Sequence, residues 1–201
     1  KQQINHAIEI VNDAKKALVN HEFVVYYQPK IGLKSSKLVG AEALVRWKRP
    51  DGSLVPPSDF IPHLEKSETI INVDFYVYEE VCKFIREHLD KNLPIVPISV
   101  NVSRVHLKTD EFLDRIKELI EKYGIPTRLL EFELTESVFL ENQDAAIKTM
   151  EEMKKLGFMV SIDDFGSGFS SLNLLKSLPV DILKIDKEFF ANATLLKNDE
   201  I

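Results

Sequence analysis

Asp163 and Asp164 stand side by side at the end of a short apolar run. They open the glycine-spaced stretch Phe165-Gly166-Ser167-Gly168-Phe169-Ser170-Ser171. Neighbouring carboxylates at the end of a strand repel each other unless a cation or a proton lies between them. Asp, Gly and Ser are also ordinary turn residues, so this stretch taken alone fits a solvated turn as well. Side-chain parity in the other strands separates the two readings. In Ile98-Ser99-Val100-Asn101-Val102-Ser103 the apolar residues share one parity, and Ser99, Asn101 and Ser103 share the other. With the apolar side against helices, Asn101 turns toward the interior. The same test turns Glu133 inward from Phe132 and Leu134, turns Asp163 inward, and aligns Lys184 with Asp186 opposite Leu183 and Ile185. Glu42 and Arg46 share one face of an earlier strand. Glu42, Asn101, Glu133, Asp163, Asp164 and Lys184 therefore converge at one end of a sheet. Hard oxygen donors without histidine or cysteine suit magnesium, manganese or calcium, and not zinc.

The elements that must position these groups follow from periodicity. Ile4, Ala7, Ile8, Val11, Ala14 and Leu18 predict an amphipathic helix over residues 2–20. Residues 23–31 and 37–47 predict two strands of a hairpin, and Pro56-Pro57-Ser58 marks a break before a short helix. A longer helix is expected over 70–89. The chain then alternates: strand 95–102, helix 110–122, strand 129–135, helix 141–156, strand 159–163, helix 170–177, strand 180–185, and a helix beginning at 186–191. Such alternation indicates an α/β fold with a parallel sheet. No glycine fingerprint opens the first βα unit, so a (β/α) barrel fits better than a dinucleotide-binding sheet. Only about six of the eight strands of a closed barrel are found before Ile201.

A chain of 201 residues can hold one domain with a sizeable core, or at most two small ones. The net charge of −6 argues against a nucleic-acid polymer as partner. A small phosphodiester remains compatible, because divalent cations can bridge it to an acidic site. No apolar run approaches a membrane helix, and the single cysteine, Cys82, falls in an apolar helical pattern. A cytoplasmic location is expected, with any membrane attachment made through segments upstream of this sequence.

The segment Glu42-Ala43-Leu44-Val45-Arg46-Trp47 resembles the signature of EAL domains, the phosphodiesterases of cyclic di-GMP. Tyr27-Gln28-Pro29-Lys30, Asp59-Phe60-Ile61-Pro62, Asn101-Val102-Ser103, Glu133-Leu134-Thr135-Glu136, the Asp163–Ser171 loop and Lys184-Ile185-Asp186 follow in the family's order. The resemblance implies a TIM-like barrel with an antiparallel first strand, over residues 21–201, preceded by a helix (1–20) that could link to an upstream diguanylate cyclase-like or sensory domain. It implies that Glu42, Asn101, Glu133 and Asp163 bind one metal ion and that Asp164 helps bind a second. Magnesium or manganese would serve in a two-metal hydrolysis and calcium would inhibit. Lys184 would orient or deprotonate the attacking water, with its pKa lowered by the cations. Gln28, Arg46 and Asp186 would contact substrate, and Glu136 would hold the loop after Asp164. The expected reaction opens one phosphodiester of cyclic di-GMP to linear pGpG. The family's later Glu-Gly-Val-Glu-type and Gln-Gly-Tyr-type segments are not in this sequence. A non-catalytic cyclic di-GMP receptor or protein-interaction module is therefore the alternative, and a homodimer covering the open sheet edges is expected.

Overall fold

The structure, a computed structural model, describes residues 2–108, 111–166 and 178–187. Helix α1 (Gln2–Val19) lays Ile10, Ala14 and Ala17 onto a cluster of Phe23, Trp47, Phe60, Leu64, Ile70 and Val73. Its small residues allow close approach, so the helix is packed against the domain along its C-terminal half.

Strands β1 (Phe23–Ile31) and β2 (Leu38–Lys48) form the expected antiparallel hairpin, in register from Phe23 opposite Trp47 to Lys30 opposite Gly40, with a shift before Ile31 opposite Leu38. A two-residue strand, β3 (Leu54–Val55), pairs with Trp47 and Lys48 and was not foreseen, being too short to carry an alternation. Helix α2 (Pro57–Lys66) starts on a proline, whose fixed φ suits the first helical turn. Helix α3 (Ile70–Asp90) buries Val73, Val77, Val81 and Ile85 on one face, and Tyr78 and Cys82 beside them.

From β2 onward the sheet is parallel: β2, then β4 (Ile98–Asn101), β5 (Leu130–Thr135), β6 (Met159–Phe165) and β7 (Ile182–Ile185). The helices α4 (Glu111–Tyr123), α5 (Glu136–Glu141) and α6 (Gln143–Lys155) join them. Val100, Phe132, Leu134, Val160 and Ile162 are almost fully buried in the larger core cluster. At about 25 cal/mol per Å² of apolar surface, that layer is the main source of stability. Among the described residues β1 and β7 are the ends of the sheet, which does not close.

Several boundaries differ from expectation. The strand predicted over 95–102 is shorter, because Pro97 has no N–H for a ladder; its carbonyl instead accepts from the Ala41 N–H at 3.0 Å. The helix predicted over 141–156 is α6, and a short helix that was not foreseen, α5, precedes it. Thr135 caps α5 by accepting from the Val138 N–H at 3.4 Å, and Asn142 caps α6 by accepting from the Ala145 N–H at 3.3 Å. The strand predicted over 159–163 runs on to Phe165. The strand predicted from 180 begins at Ile182. Before it, Asp181 accepts from the Val160 N–H at 3.0 Å. The predicted helix over 170–177 lies outside the described residues, as does most of that over 186–191.

Candidate active site

Register brings the polar side chains together. Across the ladders Glu42 is level with Ser99, Asn101 with Glu133, Glu133 with Ser161, and Thr135 with Asp163. Since successive side chains alternate, packing Phe132, Leu134, Val160 and Ile162 against helices sends Glu131, Glu133, Ser161 and Asp163 to the inner face.

There the Lys184 ammonium donates to Asp163 Oδ2 at 2.6 Å, Glu133 Oε2 at 2.9 Å and Glu42 Oε2 at 3.0 Å. Asn101 Nδ2 donates to Glu42 Oε1 at 3.3 Å. One oxygen from each of Glu42, Glu133 and Asp163 lies within 4.8 Å of the others. Burial would push the Glu133 carboxyl up, yet the bonds from Lys30, Ser99 and Lys184 hold it below the usual glutamate range. Burial likewise disfavours the Lys184 ammonium, but bonds to Asp163, Glu133 and Glu42 outweigh it and push its pKa up. The lowered pKa expected from the sequence belongs to a lysine beside bound cations. Among the carboxylates alone the shift is upward, and only divalent cations would reverse it.

A second polar layer lies beneath. Lys30 Nζ donates to Glu133 Oε1 at 2.7 Å, Ser99 Oγ at 2.8 Å and Glu131 Oε1 at 3.3 Å. The sequence reading passed over Lys30 and Glu131 as site residues. The available signal was parity, since Lys30 follows Gln28 by two and Glu131 precedes Glu133 by two.

At the end of β6 the backbone turns sharply. Asp164 has φ 56°, a left-handed conformation that Asp tolerates better than most residues, and its N–H donates to Asp163 Oδ1 at 2.8 Å. Its side chain stands beside the three-carboxylate cluster and is not one of the three. Partial burial, and then the charges of Asp163 and Asp186, push the Asp164 carboxyl up against the opposing pull of Lys184. Gly166 follows at φ 92°, where a side chain would be strained. Its N–H donates to Glu136 Oε2 at 2.7 Å, and Glu136 is buried at the start of α5. Gly168 lies outside the described residues.

Gln28 pairs across the hairpin with Glu42 and is exposed at the inner edge. Arg46 lies farther along β2, its guanidinium donating to the Val45 carbonyl at 2.8 Å. Together with Asn101, Ser103 and Thr135 it lines a cleft of about 230 Å³ floored by Val77 and Tyr78. Asp186 follows β7, its N–H bonded to the Phe165 carbonyl at 3.0 Å. None of these three belongs to the carboxylate cluster. The site thus sets three converging carboxylates beside an adjoining cleft.

The family model for the EAL domain matches residues 11–200. The chain belongs to the EAL domain family. "Signaling protein YkoW" of Bacillus subtilis is 39% identical over 175 residues, 87% of this chain and 22% of that protein. "Bifunctional diguanylate cyclase/cyclic di-GMP phosphodiesterase MucR" of Pseudomonas aeruginosa is 34% identical over 182 residues, 90% of this chain and 27% of that protein. The chain thus spans about a quarter of the length of these curated relatives. Among solved structures, the PaMucR phosphodiesterase in a c-di-GMP complex matches with a TM-score of 0.85 at 32% identity, covering 95% of this chain and 77% of that one. The parallel sheet with its antiparallel first strand is the TIM-like architecture of EAL proteins. Over the described residues of this EAL domain it remains unclosed.

Proposed function

We propose that this EAL domain hydrolyses one phosphodiester bond of cyclic di-GMP to give linear pGpG, using magnesium or manganese. The observation that carries the reading is the convergence of Glu42, Glu133 and Asp163 within 4.8 Å around the Lys184 ammonium, with Asn101 bonded to the same cluster. Three carboxylates gathered around an ammonium are a donor set that hard divalent ions fit. Glu42, Asn101, Glu133 and Asp163 would hold one ion, and Asp164 would contribute to a second. Bound ions in such a pair supply a water of lowered pKa and positive charge for the phosphoryl oxygens.

The remaining work falls to the chain itself. With divalent ions held by these carboxylates, Lys184 would be free to orient the attacking water or, as the neutral amine, to deprotonate it. Arg46 holds a phosphate oxygen, and Gln28 and Asp186 contact the nucleotide. Glu136 fixes the turn after Asp164 through the Gly166 N–H, which keeps Asp163 and Asp164 in their working orientation. The match to a c-di-GMP-bound phosphodiesterase supports the choice of substrate.

Cyclic di-GMP incubated with the protein and magnesium or manganese should yield pGpG on chromatography. Calcium should lower turnover at least about tenfold, because its longer bonds and looser coordination misplace a water that the smaller ions position well. Equal turnover with calcium would count against a two-metal mechanism. Binding of cyclic di-GMP without any hydrolysis would support a receptor in place of an enzyme.

Glu136→Ala tests the loop anchor. Removing the acceptor of the Gly166 N–H should lower kcat by roughly 10–100-fold and change KM by no more than about threefold, since no substrate contact is lost. Normal kcat would reduce Glu136 to a helix-end carboxylate.

A further inference from the structure

We infer that Lys30 is a positioning residue for the metal centre: it clamps one oxygen of Glu133 from below, so that the other faces Glu42 and Asp163. The inference rests on the metal-dependent reading above and assigns a role to a residue outside the proposed ligand set.

Glu133 is held at both oxygens by different ammonium groups. Oε2 receives Lys184 at 2.9 Å on the side of the carboxylate cluster, and Oε1 receives Lys30 at 2.7 Å on the far side. The Glu133 side chain is 0% exposed, so water does not compete for either oxygen. A carboxylate bonded at one oxygen can still turn about its last carbon–carbon bond, whereas one bonded at both cannot. With a divalent ion at Oε2 in place of Lys184, Lys30, with Ser99 beside it, would keep the carboxylate plane set. An ammonium has no lone pair with which to bind a metal, so Lys30 acts through Glu133 and not as a ligand.

The fold makes room for this reach. Lys30 comes from β1 at one end of the sheet, while Glu133 lies on β5, beyond β2 and β4. The lysine stem passes over Gly40, its partner on β2. A Cβ at Gly40 would lie 3.4 Å from Lys30 Cδ and 3.3 Å from the Pro97 carbonyl oxygen, so any side chain there crowds the path. Ser99 Oγ at 2.8 Å and Glu131 Oε1 at 3.3 Å complete the grip on the ammonium. The shortest of the three bonds goes to the proposed ligand and not to Glu131, which is why the role goes beyond neutralising a buried charge.

The test is direct titration of manganese alone, read from the free-ion signal in electron paramagnetic resonance, on wild type and on K30M, E131Q and K30M/E131Q. Outer partners of metal ligands typically contribute 10–100-fold in affinity, and K30M should lose about that much. K30M leaves the buried Glu131 without its cation, and Glu133 with Lys184 alone, and could fail to fold. The double variant removes one of the two carboxylates and keeps the question answerable. E131Q, with Lys30 still on Glu133, should bind manganese within about threefold of wild type, and K30M/E131Q should bind at least about tenfold more weakly than E131Q. Equal affinity of E131Q and K30M/E131Q would overturn the inference and leave the metal reading intact. A wild type that binds no manganese would overturn the metal reading and this inference with it.

Discussion

Glu42→Ala or Asp163→Ala should abolish metal-dependent hydrolysis of cyclic di-GMP in a protein that still folds. A loss of about a thousandfold or more corresponds to roughly 4 kcal/mol of transition-state stabilisation, a reasonable consequence of removing one of few direct ligands. Either substitution takes one oxygen donor from a cluster whose three carboxylates lie within 4.8 Å, and Glu42→Ala also removes the partner of Asn101. Folding should change by less than about 1.5 kcal/mol, because Lys184 keeps two of its three carboxylates and neither side chain fills the apolar layer. Hydrolysis rates and thermal unfolding of both variants provide the check. Near-normal turnover in either would remove that residue from the site.

Lys184→Met should show the reverse dependence on metal. Without divalent ions, Glu42, Glu133 and Asp163 would face one another with no counter-charge from Lys184. Breaking a buried ion pair by removing one partner typically destabilises by 3–5 kcal/mol. Partial exposure of Glu42 and Asp163 brings the expectation to about 2–3 kcal/mol. For a domain of this size that is a fall of roughly 5–10 °C in Tm in the presence of a chelator. Added magnesium or manganese should restore most of the loss, since the ions replace the missing positive charge. Hydrolysis should stay low, because the group that orients the water is gone. If chelator and magnesium gave the same Tm for this variant, the carboxylate cluster would not be a cation site.

The parallel core of the fold was legible because its strands are apolar on one face and polar on the other. Val100, Phe132, Leu134, Val160 and Ile162 fix the outward parity, and the inward parity then falls to Asn101, Glu133 and Asp163 without further choice. Lys184 was legible in the same way on β7. Two kinds of feature were not. Boundaries set by a single hydrogen bond, such as the Asn142 cap that splits α5 from α6, leave no periodic trace. Contacts made by long side chains across the interior leave none either. Lys30 and Glu133 are 103 positions apart, and only the closing curve of the sheet brings their heads together. The upward Lys184 shift has the same origin: a motif names the residue, while the pKa depends on which charges are beside it.

The packing of α1 also has a spectroscopic consequence. Trp47 is the sole tryptophan of the chain, almost fully buried between Phe23 and Phe60, with its indole N–H donating to Glu22 Oε2 at 3.1 Å. It sits near the end of β2, outside the carboxylate cluster, in the layer where Ala14 and Ala17 of α1 meet the hairpin. Intrinsic fluorescence excited at the indole band therefore reports on that layer alone. A red shift during denaturation marks the moment water reaches the indole. If the emission shift and the circular dichroism melt part company, the helix-hairpin layer opens separately from the parallel sheet, and the protein unfolds in more than one cooperative step.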